Sequence, residues 1–496
     1  MSVIQVTDLT FSYEDSPECI FDHVSFHIDT DWRLGFIGRN GRGKTTFLKL
    51  LMGEYEYGGQ ISLNVPADYF PFPVPMKELD TIDCLYCLEP GMELWRVKKE
   101  MARLKLKEDI LYRPFASMSR GEQTKMLLAL LFSRDNHFLL IDEPTNHLDA
   151  PSRQLVGEYL KEKKGFILVS HDRAFLDTCV DHILSINRSN IEIQKGNYSS
   201  WDENRKRRDA FEIGENERLK KDIRRLKEAS RQAGGWADKA ESVKIGRKGV
   251  KGQKDRPNRD YIGEKSRRMQ QRRKNLEQRQ EKDLQEKEKL LKNVEYAEEL
   301  KLMPLVHHQS RLITARDLSA GYDGKNVFSH ISFELCQKDR LAINGGNGCG
   351  KSTLIKLILK EPVEHTGEIV TASGLVVSYV SQDTSYLKGS LSSFIQEQGL
   401  EESLVKALLR KLDFSREQFE KEMQTFSEGQ KKKVLLAASL CRPAHLYIWD
   451  EPLNYIDLYS RIQLEELIAK WQPTMIFVEH DRRFMEKTAT KQLQMY

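Results

Sequence analysis

Four short signals occur in the same order twice in this 496-residue chain, about 308 positions apart. The first set is GRNGRGKTT (38–46), MSRGEQ (118–123), FLLIDEPTNHLD (138–149) and VSHD (169–172). The second is GGNGCGKST (345–353), FSEGQ (426–430), LYIWDEPLNYID (446–457) and VEHD (478–481). Self-similarity at this spacing requires two copies of one structural unit. The length suffices for each copy to bury its own core.

Each copy reads as α/β. Alternating apolar positions open the first (Ile4, Val6, Leu9, Phe11, then Val24, Phe26, Ile28) and predict antiparallel strands. A short apolar strand, 33–37, then runs into Gly38-x4-Gly43-Lys44-Thr45 and a helical pattern through Leu51. Strand, glycine loop and helix form the setting a phosphate-binding loop needs. The glycines bring backbone N–H groups against phosphate oxygens, the lysine reaches the β/γ-phosphates, and the hydroxyl meets Mg2+. Candidate ATP contacts are Gly38, Asn40, Gly41, Gly43, Lys44, Thr45 and Thr46, and in the second copy Gly345, Asn347, Gly348, Gly350, Lys351, Ser352 and Thr353.

The run Phe138-Leu-Leu-Ile141 suits a parallel strand covered on both faces, and it ends in Asp142-Glu143. Asp142 is placed to orient a Mg2+ shell and Glu143 to polarise an attacking water, since phosphoryl transfer depends on position and charge. Asp450 and Glu451 repeat the pair. Alone, each motif has a plainer reading. Ser119 and Ser427 could be ordinary helix caps, and His171 and His480 structural histidines. The order and the repetition argue for function instead. Ser119 with Gly121, and Ser427 with Gly429, read as anion sites at helix N-termini, and the two histidines as γ-phosphate contacts.

These motifs, in this order and twice over, resemble ABC-type ATPases. The resemblance covers both globular units and implies that they face each other head to tail, with ATP and Mg2+ between them. One site would join Lys44, Asp142, Glu143 and His171 to Ser427 and Gly429. The other would join Lys351, Asp450, Glu451 and His480 to Ser119 and Gly121. Tyr13 and Tyr322 would lie against adenine, and Thr45, Ser352 and Gln382 would join the two aspartates around the metal. One departure stands out. Where the second copy reads Tyr379-Val-Ser-Gln382, the first reads Tyr69-Phe-Pro-Phe72, with Phe72 in the glutamine's place.

Net charge is only +4, but it is unevenly distributed. Residues 201–300 carry 30 Lys/Arg against 21 Asp/Glu, leaving the rest of the chain mildly acidic. Near-heptad apolar positions (Leu219, Ile223, Leu226; Met269, Leu276; Leu284, Leu291, Val294) predict two long helices folded back on each other. At 30–40 residues each, they would span roughly 45–60 Å. Glycines 234, 235, 246, 249 and 252 with Pro257 break the pattern into a tip loop at about 233–261, where the basic excess concentrates. The plain reading is a solvated charged hairpin. The sharper one is RNA contact through cations on phosphates and rings on bases, with Trp236, Val243, Lys244, Ile245, Arg247 and Lys248 as tip candidates. The expected domains are 1–198, 199–305 and 306–496.

Seven cysteines at irregular spacing form no secreted-type framework, and the lone pair Cys84/Cys87 lacks the partners of a zinc site. Neither a signal peptide nor an 18-residue apolar span is evident, so a cytoplasmic protein with no membrane partner is expected.

Paired ABC units joined by a basic helical hairpin resemble the ABC-F translation factors, and the long tip loop resembles the Lsa-type antibiotic-resistance members. Membership would imply a monomer whose halves pair internally on the ribosome, at the exit site. The hairpin would reach large-subunit rRNA and peptidyl-site tRNA near the peptidyl transferase centre and displace lincosamides, pleuromutilins and streptogramin A compounds. Three rivals share some of these motifs. A housekeeping ABC-F factor would leave drug susceptibility unchanged, a transporter ATPase subunit would need a membrane partner, and a DNA-repair ATPase would bind DNA.

Overall fold

The computed structural model describes residues 2–13, 19–186, 191–211, 214, 221, 267–268, 271, 300–322 and 325–495. The seam and tip positions of the hairpin fall almost entirely outside them, as do Trp236, Val243, Lys244, Ile245, Arg247 and Lys248. Chain contacts divide the protein into one unit of Met1–Trp201 with Ala297–Tyr496 and a second of Asp202–Tyr296.

Within the first unit the repeat is visible as two matching domains. The amino-terminal one has a six-stranded sheet ordered Ala67–Phe70, Phe138–Asp142, Phe166–Val169, Arg33–Gly38, His182–Ile186, Ile191–Lys195. Its first five strands run parallel and the last antiparallel. The carboxy-terminal domain repeats the parallel part with Val377–Val380, Leu446–Asp450, Met475–Val478, Arg340–Asn344 and Lys491–Gln494. The central strands Phe138–Asp142 and Leu446–Asp450 are apolar and buried along nearly their whole length, as the run ending at Asp142 required.

A three-stranded antiparallel sheet flanks each parallel one: Cys19–Asp29, Val3–Ser12 and Gly58–Ser62, and again Lys325–Cys336, Arg311–Tyr322 and Glu364–Thr371. Alternation is clean until a bulge, where Asp8 and Asp317 take positive φ. The facing Gly59 and Gly367 are required there, since a Cβ on either would fall 2.2 and 2.3 Å from the carbonyl oxygens of Asp8 and Asp317. Two apolar cores fill each domain, one on either face of its parallel sheet. Trp201 is buried in the first domain, and Leu300 and Leu302, which the sequence reading gave to the linker, are buried in the second. Among the described residues no helix is long and apolar enough to cross a membrane.

Candidate nucleotide sites

Each central strand delivers the chain into its glycine loop at the carboxyl end of the sheet. Gly43 (φ 87°) and Gly350 (φ 92°) turn the loop into the following helix. A Cβ on Gly43 would lie 2.4 Å from Ile20 Cγ2, and one on Gly350 2.6 Å from Val327 Cγ1, so only glycine fits. The helices Lys44–Leu51 and Lys351–Ile358 start without a side-chain cap, which leaves their first N–H groups available to an anion. Lys44 Nζ donates to the Gly38 and Arg39 carbonyls (2.8 and 3.0 Å), and Lys351 Nζ to those of Gly345 and Gly346 (2.9 and 2.8 Å). Both lysines therefore sit inside their loops, and burial lowers the pKa of Lys44.

Thr45 Oγ1 donates to Asp142 Oδ2 at 2.7 Å, and Ser352 Oγ to Asp450 Oδ2 at 3.0 Å. A hydroxyl beside a carboxylate is a hard-oxygen pair that fits Mg2+, which takes one or two protein carboxylates and completes its shell from phosphate and water. Burial raises the pKa of both aspartates, which favours a cation between the oxygens.

Ser119 and Ser427 each cap a helix, Arg120–Phe132 and Glu428–Cys441, in full capping boxes closed by Glu122 and Gln430. They also face the opposite domain's loop. A cavity of about 510 Å³ is lined by Tyr13, Asn40, Lys44, Thr45, Thr46, Asp142, Glu143 and His171 from one domain and by Ser427, Gly429 and Tyr455 from the other. A second, of about 820 Å³, is lined by Asn347, Lys351, Ser352, Thr353, Gln382, Glu451 and His480 together with Ser119 and Arg120. Gly41 and Gly43 line the first cavity, Gly348 and Gly350 the second. Gly38, Gly345, Gly121 and Asp450 are not among the residues that line the two cavities. Tyr13 donates to or accepts from Thr46 Oγ1 at 2.8 Å and packs edge-on to Phe11 and Tyr55. Tyr322 is 44% exposed and is not part of the second cavity's lining.

The two glutamates sit differently. Gln382 Nε2 and Asn454 Nδ2 both donate to Glu451 Oε2, at 2.8 and 2.7 Å, and His480 Nε2 stands 3.7 Å from Oε1. Burial opposes ionisation of Glu451, but His480, Lys351 and Lys432 outweigh it and hold its pKa below the ordinary carboxylate value. Around Glu143 there is no glutamine. Phe72 packs on the apolar core instead, and His171 Nε2, 3.3 Å from Glu143 Oε1, is shared with Asn40 Oδ1 at 3.1 Å. Burial, then the adjacent Asp142, push Glu143 up to about 8. The His171 pKa falls well below its usual value, first through burial and then through Lys44 and Arg461.

Several residues of these sites carry no recognised signal. Asn40 Nδ2 donates to the Tyr455 carbonyl across the domain interface (3.1 Å), and the same carbonyl lies 2.6 Å from where a Cβ of Gly429 would be. Asn146, Glu428 and Tyr455 line both cavities. Asn146 and Tyr455 belong to the segments just after the Asp-Glu pairs, whose repetition could have drawn attention to them. Lys432, the middle of three consecutive lysines, is buried and donates to the Ser381 and Asp450 carbonyls at 2.8 and 3.2 Å.

Two phosphate loops on parallel sheets, each completed by a capped helix of the other domain, define an ATPase of the ABC class. The chain matches the ABC transporter family over residues 21–146 and 328–454, and it belongs to that family. Within it the likeness is to ABC-F proteins. The ribosome protection protein VmlR of Bacillus subtilis is 29% identical over 98% of this chain and 86% of its own length. ABC transporter F family member 2 of Arabidopsis thaliana is 26% identical over 100% of this chain and 76% of its own length.

 Among solved structures, the archaeal ribosome recycling factor aABCE1, in complex with stalk protein aP1, superposes with a TM-score of 0.65 at 19% identity, over 98% of this chain and 87% of that one. That likeness carries the fold alone.

Proposed function

We propose that this chain is a cytoplasmic, monomeric ABC-F ATPase that binds the ribosome when its two domains close on ATP and leaves when ATP is hydrolysed. The observation that carries this reading is the pair of composite cavities, since each needs both domains to be complete. The segment between the domains (199–305, between domains 1–198 and 306–496) is the basic one, and similarity to a ribosome protection protein runs through it.

In this reading the loop residues from Gly38 to Thr46 and from Gly345 to Thr353 bind the phosphates. Ser427 with Gly429, and Ser119 with Gly121, close on them from the opposite domain. Tyr13 stacks on adenine; Tyr322, its counterpart in sequence, would have to move onto the second cavity to do the same. Thr45, Asp142, Ser352, Gln382 and Asp450 would hold Mg2+, which when bound supplies positive charge to the phosphate oxygens. Glu143 and Glu451 orient the attacking water, and His171 and His480 reach the γ-phosphate. ATP acts through its differential affinity for the closed state. Moving the domains from 1:99 to 99:1 closed takes about 5.5 kcal/mol of such preference.

The basic arm would extend from the exit site toward the peptidyl transferase centre, meeting rRNA and peptidyl-site tRNA and displacing lincosamide, pleuromutilin or streptogramin A drugs. The variant Glu143→Gln/Glu451→Gln should bind ATP and co-sediment with ribosomes in its presence. A folded double variant that stays in the supernatant with ATP would overturn the clamp. Drug susceptibility with and without the gene separates resistance from a housekeeping role.

A further inference from the structure

The two composite sites differ in ways that bear on what each does with ATP. At the Lys351 site the apparatus around the attacking water is tied together. Gln382 and Asn454 hold one oxygen of Glu451 (2.8 and 2.7 Å). Lys432 Nζ bridges the carbonyls of Ser381, beside that glutamine, and Asp450, beside that glutamate. At the Lys44 site the corresponding positions are Phe72 and Thr124, which supply neither tie. Among the described residues no hydrogen bond from a side chain to the Glu143 carboxylate is formed.

Closure differs in the opposite sense. Arg39, in the Lys44 loop, reaches across to Asp413 (Nη1–Oδ1 3.8 Å) and lies over the Tyr459 ring at 5.3 Å. Asn40 holds the Tyr455 carbonyl, and Phe414 and Gln418 of the opposite domain wall the cavity. The residue matching Arg39 in the other loop is Gly346, which has no side chain to reach with. The Lys44 cavity is also the smaller, about 510 against 820 Å³.

We propose that the sites divide the work: the Lys44 site retains ATP over many cycles and holds the domains together, while the Lys351 site hydrolyses ATP and sets the rate. In the Lys351 site a water oxygen forms a bond to the γ-phosphorus as the bond to the ADP oxygen breaks, and the water's proton leaves through Glu451 to solvent, giving ADP and phosphate. Gln382 and Lys432 are positioning residues for that step.

The test needs no ribosome, so it stands or falls apart from the ribosome reading. The full chain is incubated with α-32P-labelled ATP and Mg2+, passed rapidly through a desalting column, and its bound nucleotide counted and identified. About one nucleotide per chain should remain as triphosphate through many turnovers. Arg39→Gly should shorten that retention about tenfold, and Gln382→Phe should lower kcat about 10–100-fold with KM little changed and the retained nucleotide still bound. Lys432→Met, which leaves Gln382 in place but untethered, should also lower kcat. Equal loss from both sites, retained nucleotide that turns to diphosphate at the steady-state rate, or a Gln382→Phe variant with kcat within about twofold of the parent would overturn the proposal.

Discussion

Arg173 is the residue whose loss should cost the domain interface most. Its guanidinium pairs with both oxygens of Glu465 in the other domain, one at 3.1 Å, and lies 3.9 Å from Asp481. All three side chains are buried. Breaking a buried pair by removing one partner costs about 3–5 kcal/mol. Lys487 stays 3.1 Å from Glu465 and Arg461 3.1 Å from Asp481, so Arg173→Ala belongs at the low end, about 3 kcal/mol. For a domain of roughly 200 residues that is a fall in Tm of about 6–12 °C, read by calorimetry on the full chain. The repeat supplies a control. The matching Arg482 is 77% exposed and, among the described residues, pairs with Glu486 along its own helix, so Arg482→Ala should move Tm by less than about 2 °C. Arg173→Met/Glu465→Leu should recover most of the loss, because apolar residues replace a buried pair at little cost. A single variant within about 1 °C of the parent, or a double variant no better than the single, would refute the reasoning.

Three further outcomes are expected. Glu143 has a folded pKa raised to about 8, so without nucleotide its contribution to stability is full below its ordinary value near 4.5 and lost as pH rises through about 8. Glu143→Gln should flatten that part of the stability–pH curve, and an unchanged curve would count against a buried, neutral Glu143. Gly429→Ala places a Cβ 2.6 Å from the Tyr455 carbonyl that Asn40 holds, so it should weaken ATP-dependent closure, measured by small-angle scattering, with the fold intact. If the basic arm contacts RNA through phosphates, ribosome affinity should fall steeply and linearly on a log–log salt plot, and a flat response would remove the arm as the binding element.

Much of the fold was legible because its signals are local. The glycine loops, the apolar strands ending in acid pairs and the capped helices each announce themselves within about ten residues, and the repeat checks each reading against a second. The Phe72 departure was legible for the same reason. What the sequence could not display are contacts made only when the halves meet. Nothing near Asn40 names Tyr455, 415 positions away, and nothing near Arg173 names Glu465. Lys432 stands in a run of three lysines that says nothing of burial, yet two carbonyls hold its ammonium inside the fold. Tyr322 matched Tyr13 in sequence but lies outside the second cavity's lining, because an aromatic at a strand end can pack or stay exposed as readily as meet a ligand.

The interface contacts also bear on how turnover could be transmitted. Arg39 with Asp413 and Arg173 with Glu465 join the domains at two points that the repeat does not duplicate, since their counterparts are Gly346 and, for Glu465, Gly157. His480 of the Lys351 site leads directly into the helix Arg482–Thr488. Arg483 on this helix pairs with Asp177, bonds Ser199 and lies 5.7 Å from the Tyr198 ring centre. Asp177 in turn accepts from the Ser199 N–H and hydroxyl, at 2.7 and 2.6 Å. Residues 198 and 199 stand where the basic segment begins. The grip of Arg483 therefore ties the helix after His480 to the residues where that segment begins, and the matching position in the other domain, Ala174, has no side chain able to repeat it.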